Sequence, residues 1–449
     1  MAQKMVIVGA VGGGATVAAQ IRRDNKDTTI ILFDKNGYVS FSNCGMPYYL
    51  GKTVANRNDI LYPKDKFEEK YNVHVRTYAE VTAIDRKNKM ITYVSESKQF
   101  TETYDQLILS PGATAVMPSI PGMNKMRTFN LHTIPDMDAI ATFIEEKQPK
   151  TAAIIGGGFI GLEMLENLHE RGIQCTLIDR SDQVMNPIDD DMAKIVHQYV
   201  NNKNVDLILN DGLQEFSNDG KTLHLNSGKV VEADITIMAV GIRPNIKLAK
   251  EANLSIGKTG AIVVNEFMQT DDPAIYALGD AVETKDFITG EPRNIALAWP
   301  AHRQAFIIAN HINGKSIPYY GTIGSSILRL FDLTLGATGL NRYRLETQKI
   351  DYKEAKIETL SNAGYFPDAD KLWIKILFDA ANGRIYGGQV VGYAGADKRL
   401  AILSTAIKSK LTVYDLPELE LAYAPPYSSP KDPINILGYK AITLLAKDM

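Results

Sequence analysis

The sequence predicts an α/β chain in which two Rossmann-like dinucleotide-binding domains are followed by a smaller α+β domain. Three observations carry this reading. A strand–glycine turn–helix–strand unit opens the chain, and the same unit returns in mid-chain. From about Tyr320 the pattern changes to alternating strand-like runs closed by a helix.

The opening unit starts with a β-branched run at residues 5–8 and turns at Gly9-Ala10-Val11-Gly12-Gly13-Gly14. An alanine-rich helix runs to about Arg23, and a second apolar strand, residues 29–33, ends at Asp34. In mid-chain, residues 151–155 form the strand, Gly156-Gly157-Gly158-Phe159-Ile160-Gly161 the turn, 162–171 the helix, and 175–178 the second strand, ending at Asp179. Further apolar runs end in turn signals: 104–109 before Ser110-Pro111-Gly112, 235–240 before Gly241, and 274–278 before Gly279-Asp280. The domain boundaries that follow are 1–112 with 247–320, then 113–246, then 321–449. The last contains strand-like runs at 371–378 and 384–391 and a helix at 396–409.

The 449 residues carry 49 Lys plus Arg against 52 Asp plus Glu, so no global field invites a nucleic acid or an anionic membrane. An anionic ligand must be met by a local basic cluster, and Arg22-Arg23 at the end of the first helix is one. Two cysteines exclude a disulfide-built scaffold, an iron–sulfur cluster and a cysteine-rich zinc site, so no metal is expected. No apolar run approaches the roughly 18 residues of a membrane span, and the N-terminal run is too short for a signal sequence. A reducing, cytoplasmic setting is the expectation.

The mid-chain turn fits G-x-G-x-x-G with an acid at the end of the next strand. Gly156 makes the tight turn, Gly158 lets a pyrophosphate approach the backbone, and Gly161 lets the helix approach the strand. Asp179 can accept ribose hydroxyls. An acid here favours NADH, whereas the adjacent Arg180 can pair with the 2′-phosphate of NADPH; the reading leans to NADH. The first turn departs from the pattern, with Val11 at the middle position. The neighbouring Gly12 can still permit close approach, and Asp34 provides the acidic partner, so Gly9, Val11, Gly13, Gly14, Asp34 and Lys35 are candidate cofactor contacts. With Gly112 and the Gly279-Asp280 turn, this half resembles the two-dinucleotide flavoproteins, a resemblance that implies an FAD site in which Asp280 meets the ribityl chain.

The segment Ser40-Phe41-Ser42-Asn43-Cys44-Gly45-Met46-Pro47 carries the chemistry. Pro47 suits the first turn of a helix starting near Cys44, and a thiol at a helix start is biased toward thiolate. Cys175 lies in an apolar run and reads as core. No second cysteine stands near Cys44, so its oxidised state is a sulfenic acid or a mixed disulfide with a small thiol.

These residues, with Leu109-Ser110-Pro111-Gly112-Ala113, Leu297-Ala298-Trp299, His302-Arg303 and the segment Ala422-Tyr423-Ala424-Pro425-Pro426-Tyr427-Ser428-Ser429-Pro430-Lys431-Asp432, carry a resemblance. From end to end the chain resembles the coenzyme A disulfide reductases, single-cysteine members of the pyridine nucleotide–disulfide oxidoreductases, a group that includes NADH oxidases and peroxidases. The resemblance implies a glutathione-reductase-like fold, FAD and NAD(P)H as cofactors, and a homodimer formed through the C-terminal dimerisation domain. It implies that Cys44 alternates between thiolate and a disulfide with coenzyme A. Thr16, Gln20, Arg23, Ser40, Asn43, His302 and Lys431 would line the coenzyme A site. Tyr365 and Tyr423 would reach the cysteine of the other subunit. The alternatives are an oxidase or peroxidase working through a Cys44 sulfenic acid, and a persulfide or polysulfide reductase. The peroxidases have a histidine in the first glycine turn; here no histidine precedes His74.

Overall fold

The computed structural model describes residues 3–446, which form two compact units. The first comprises the chain up to Val116, with His132–Ala141 and Gly241–Thr322. Its centre is a five-stranded parallel sheet in the order Ile275–Ala277, Gln106–Leu109, Lys4–Val8, Thr29–Phe33, His74–Arg76. Met5, Val6, Ile7, Leu32, Leu107 and Ile108 are fully buried, because a parallel sheet is covered on both faces and its strands read as continuous apolar runs. In register, Val8 stands between Phe33 and Leu109, so Gly9, Asp34 and Ser110 emerge at one edge of the sheet. Helix Gly12–Asp24 packs against Ala298–Ile312. An antiparallel meander, Glu80–Asp85, Met90–Ser95 and Lys98–Thr103, completes this unit's strands together with short ladders.

The second unit comprises Met117–Leu131, Thr142–Val240 and the chain from Ile323 onward. Its parallel sheet runs Asp206–Ile208, Gln174–Ile178, Thr151–Ile155, Ile235–Met238, Thr128–Phe129. The C-terminal part is a five-stranded antiparallel sheet, Ser326–Leu330, Leu333–Gly339, Ile385–Gly392, Lys371–Asp379, Tyr352–Leu360. Helix Ala396–Lys408 lies on its central strands, and helix Pro433–Ala446 on the edge strand Tyr352–Leu360. Lys375, 0% exposed, ties its antiparallel sheet to the start of helix Asp190–Asn201. Its ammonium sits 2.9 Å from Asp189, 3.0 Å from Asp191 and 2.9 Å from Glu354. Burial alone would push Lys375 toward its neutral form; the three carboxylates outweigh that and raise its pKa.

The two glycine turns are built alike. Gly9 has φ +98° and Gly156 φ +108°, which a side chain rarely adopts. A Cβ on Gly14 would stand 1.8 Å from the carbonyl oxygen of Gly9, and one on Gly161 would stand 1.8 Å from that of Gly156. In each unit the helix therefore approaches the strand more closely than any side chain permits. Among the described residues no helix is long and apolar enough to cross a membrane.

Glu166, on helix Phe159–His169, is 1% exposed and faces the turn after Ser326–Leu330. Burial, with Glu170 adding to it, pushes its carboxyl up to about 7 against the amide of Phe331 and the guanidinium of Arg329 at 4.0 Å. A carboxyl whose pKa rises on folding stabilises the fold below its unfolded pKa. That contribution disappears as pH rises through the folded value. Thermal unfolding followed across this range is therefore expected to show stability falling from about pH 4.5 to about pH 7. In Glu166→Gln, which keeps a neutral side chain throughout, this decline should be absent.

Candidate active site

The residues expected to hold the first nucleotide collect at the C-terminal edge of the first unit's parallel sheet, the edge where ligands bind in open α/β sheets. Gly9, Val11, Gly13 and Gly14 form the turn and helix start after Lys4–Val8, with Val11 at the N-cap. Asp34 and the exposed Lys35 follow Thr29–Phe33, Gly112 follows Gln106–Leu109, and Gly279-Asp280 follow Ile275–Ala277. The Asp34 carboxylate accepts the amide of Ala10 at 3.0 Å and that of Asn36 at 2.8 Å, fixing the turn. Burial raises the pKa of Asp34, with those two amides acting against it.

The second unit repeats the device. Asp179 accepts the amide of Gly157 at 2.6 Å and that of Ser181 at 2.7 Å, and Arg180 beside it is exposed. Gly156, Gly158 and Gly161 surround this turn, and a Cβ on Gly158 would meet nothing within 4 Å. Space therefore lies open above the backbone where a pyrophosphate would approach.

Asp280 tests whether a flavin nucleotide fits. Burial raises its pKa, opposed only by the charge of His132. Its backbone carbonyl accepts Asn294 at 2.8 Å, and the Gly279 amide is held by the buried Gln304 at 2.8 Å. No hydrogen bond reaches its carboxylate among the described residues. A largely desolvated carboxylate without donors matches a ligand that supplies hydroxyls, as a ribityl chain does. Gly112, φ +64°, also faces open space at this edge.

Cys44 is reached through Asp34. The chain leaving that strand bends at Ser40, φ 49°, whose amide donates to the carbonyl of Ala10 in the glycine turn at 2.9 Å. Asn43 donates to the carbonyl of His132 at 3.0 Å, and Ser42 accepts the amide of Gly45 at 3.2 Å. The expected helix start is corrected here. Cys44 occupies a single 3-10 turn, Asn43–Gly45, and the α-helix begins only at Met46, spans five residues, and carries Pro47 in its first turn. So short a helix leaves little dipole for the thiol. Cys44 is exposed, whereas Cys175 is buried. Burial pushes the Cys175 thiol up to about 12, and its sulfur donates to the carbonyl of Ile173 at 3.3 Å.

Thr16, Gln20 and Arg23 share one face of helix Gly12–Asp24. The Thr16 hydroxyl donates to the Gly12 carbonyl at 2.7 Å and contacts Nδ1 of His302 at 2.9 Å. A hydroxyl has one proton, so with that proton on the Gly12 carbonyl Nδ1 is assigned as the donor. The Arg22-Arg23 cluster is also corrected. Arg22 is 7% exposed, and its guanidinium serves the carbonyls of Tyr71, Asn25, Lys26, Thr28 and Asn72. Only Arg23 is exposed. Lys431, the seventh expected contact, lies in the second unit with its ammonium over the ring of Tyr439. Tyr365, 77% exposed, and Tyr423, 44% exposed, are neighbours in that unit, and the hydrogen bond that the Tyr423 phenol donates to Tyr365 raises the pKa of Tyr423. His132, Asn294 and Gln304 were not read from the sequence. Each acts through a contact distant along the chain, and no local motif marks it.

The model of the pyridine nucleotide-disulphide oxidoreductases matches residues 3–305, and that of their dimerisation domain matches residues 326–432. The chain belongs to the pyridine nucleotide-disulphide oxidoreductases. Enzymes of this family use FAD and NAD(P)H, which accounts for two nucleotide turns in one chain, and the match to a dimerisation domain suggests a homodimer. A relative from Staphylococcus aureus (strain JH9), coenzyme A disulfide reductase, is 40% identical over 442 residues, 98% of this chain and 99% of its own. The structure of reduced Bacillus anthracis CoADR-RHD superposes with a TM-score of 0.98 at 45% identity, covering 100% of this chain and 81% of that one. A NAD-dependent persulfide reductase from A. fulgidus gives a TM-score of 0.95 at 32% identity, covering 99% and 83%.

The contrast between the two thiols of this oxidoreductase is directly measurable. Iodoacetamide applied to the native, reduced enzyme is expected to label Cys44 completely while Cys175 stays unlabelled until denaturant is added. Peptide mass mapping reads both sites.

Proposed function

We propose that this chain reduces coenzyme A disulfide to two coenzyme A thiols at the expense of NAD(P)H. The observation that carries the reading is the exposed Cys44, tied through Ser40 to the first glycine turn, with the only other cysteine buried in the second unit. A dithiol cycle within one chain is thereby unsupported, and a single thiol must exchange with a disulfide brought from outside. The names of the relatives from Staphylococcus aureus and Bacillus anthracis support that disulfide being coenzyme A disulfide.

FAD would be held by Gly9, Val11, Gly13, Gly14, Asp34, Lys35, Gly112, Gly279 and Asp280. The nicotinamide nucleotide would be held by Gly156, Gly158, Gly161, Asp179 and Arg180, with Asp179 favouring NADH. When bound, the flavin accepts a hydride from the nicotinamide and returns the electron pair to a disulfide sulfur. The Cys44 thiolate attacks one sulfur of coenzyme A disulfide, forming a Cys44–coenzyme A disulfide and expelling one coenzyme A thiolate. Two-electron reduction of that mixed disulfide restores the Cys44 thiolate and releases the second coenzyme A. The cycle consumes one NAD(P)H and one proton. Tyr423, paired with Tyr365, acts from the partner subunit and protonates the departing thiolate. A tyrosine phenol is protonated at neutral pH and so has a proton to give. Arg23, His302 and Lys431 meet the phosphates, while Thr16, Gln20, Ser40 and Asn43 line the path to Cys44. A cytoplasmic, thiol-reducing compartment suits this chemistry.

Intact mass of the native enzyme under denaturing, non-reducing conditions tests the reading. A thiol-reversible adduct of coenzyme A size, absent in Cys44→Ser, is expected; an adduct of one oxygen would instead favour a sulfenic acid cycle. Steady-state kinetics should show Arg23→Ala raising KM for coenzyme A disulfide about 10-fold with little change in kcat, the loss of one charge-assisted contact. Tyr423→Phe should lower kcat, and unchanged turnover across pH would remove the proton-donor role.

A further inference from the structure

Both tyrosines of the proposed cycle stand on exposed loops of the second unit, and such loops have little to fix them. Tyr365 follows the strand Tyr352–Leu360, and Tyr423 precedes the helix Pro433–Ala446. Tyr423 and Tyr427 line an open groove of about 320 Å³ with Leu421, Ile402, Lys398 and Asp432. Under these loops lies a fully enclosed ion pair, Arg399 at 1% and Asp432 at 3% side-chain exposure, 2.8 Å apart.

The guanidinium of Arg399 does more than neutralise Asp432. Nη2 donates to the carbonyl of Ser361 at 2.9 Å and to Asp432 Oδ2 at 2.8 Å, with the Ser428 hydroxyl at 3.2 Å and the Tyr427 carbonyl at 3.4 Å. Ser428 in turn donates to Asp432 at 2.7 Å, and Asp432 receives the Ile434 amide at 3.0 Å. The two loops are joined directly by one backbone bond, Ala363 amide to Pro425 carbonyl, at 3.3 Å. Nη1 bonds the Gly395 carbonyl, and a Cβ on that residue would stand 2.3 Å from the same nitrogen. The planar fork thus spans the start of its own helix, the loop before Tyr365 and the turn after Tyr423. A lysine in its place has the charge without that geometry.

We propose that Arg399 is a positioning residue for the disulfide half of the reaction, holding the loops 361–367 and 422–432 in register so that Tyr365 and Tyr423 act as a pair. This rests on the reading of those tyrosines given above. Arg399 touches neither tyrosine ring and acts through the Ser361 and Tyr427 carbonyls and through Asp432. Loss of the tie displaces the phenols without disturbing the nucleotide turns, and small displacements of an acid cost large factors in rate.

The test uses the flavin-loaded full-length enzyme with Arg399→Lys, and with Ser428→Ala as the milder variant should the first fold poorly. Hydrogen exchange should rise about 10-fold at the Ala363, Tyr427 and Ser428 amides together while the strand Lys371–Asp379 keeps its protection. Turnover of coenzyme A disulfide should fall about 10-fold while anaerobic flavin reduction by NADH stays within about two-fold. In a Tyr423→Phe background the same Arg399→Lys change should cost less than about two-fold further, because the tie then has no acid to place. Unchanged exchange at those amides, unchanged turnover despite faster exchange, or an undiminished cost in the Tyr423→Phe background would each overturn the proposal. Should the parent enzyme fail to turn over coenzyme A disulfide, the functional reading falls by itself, and the exchange measurement still accepts or rejects the tie.

Discussion

In both units a carboxylate at the end of the second strand accepts an amide of the glycine turn after the first: Asp34 from Ala10, Asp179 from Gly157. Much of the site inherits its position from these two bonds. Each holds a tight turn at the edge of a parallel sheet, where the following helix comes too close to the strand for any Cβ. In the first unit the chain then leaves Asp34 and returns to the carbonyl of Ala10 through Ser40, so the segment carrying Cys44 is referenced to the same glycine turn.

The basic residues divide by what surrounds them. Arg22 and Arg399 are buried, and each spends its fork on backbone carbonyls, joining segments distant in the sequence. Lys375 does the same with carboxylates, joining the antiparallel sheet to the start of helix Asp190–Asn201. Arg23 and Arg180 stay exposed. With nearly equal numbers of acidic and basic residues, the chain offers an anion only those cations that remain at the surface.

Much of this was legible in advance. The strands Thr29–Phe33 and Thr151–Ile155 begin and end where apolar periodicity places them, and both acids stand at the predicted strand ends. Glycine and aspartate at a βα turn are read easily because backbone stereochemistry and a nucleotide's shape demand them locally. The helix at Cys44 was misread for a local reason. Pro47 does sit in a first turn, but the capping by Ser42 produces a 3-10 turn that delays the α-helix to Met46. Arg22 was misread for a distant one, since its acceptors at Tyr71 and Asn72 lie some 50 residues away.

The sequence by itself determined the two dinucleotide folds, the single reactive thiol and the family, because each depends on residue types at short, fixed spacing. Tertiary structure alone decided which charged groups are ties and which are contacts. It buried Arg22 beside an exposed Arg23, brought His302 to Thr16 and His132 to Asn43, and set Arg399 beneath two tyrosine loops. The reason is physical. A guanidinium or imidazole has the same chemistry in any segment, and only the packing around it fixes whether its hydrogen bonds are already taken.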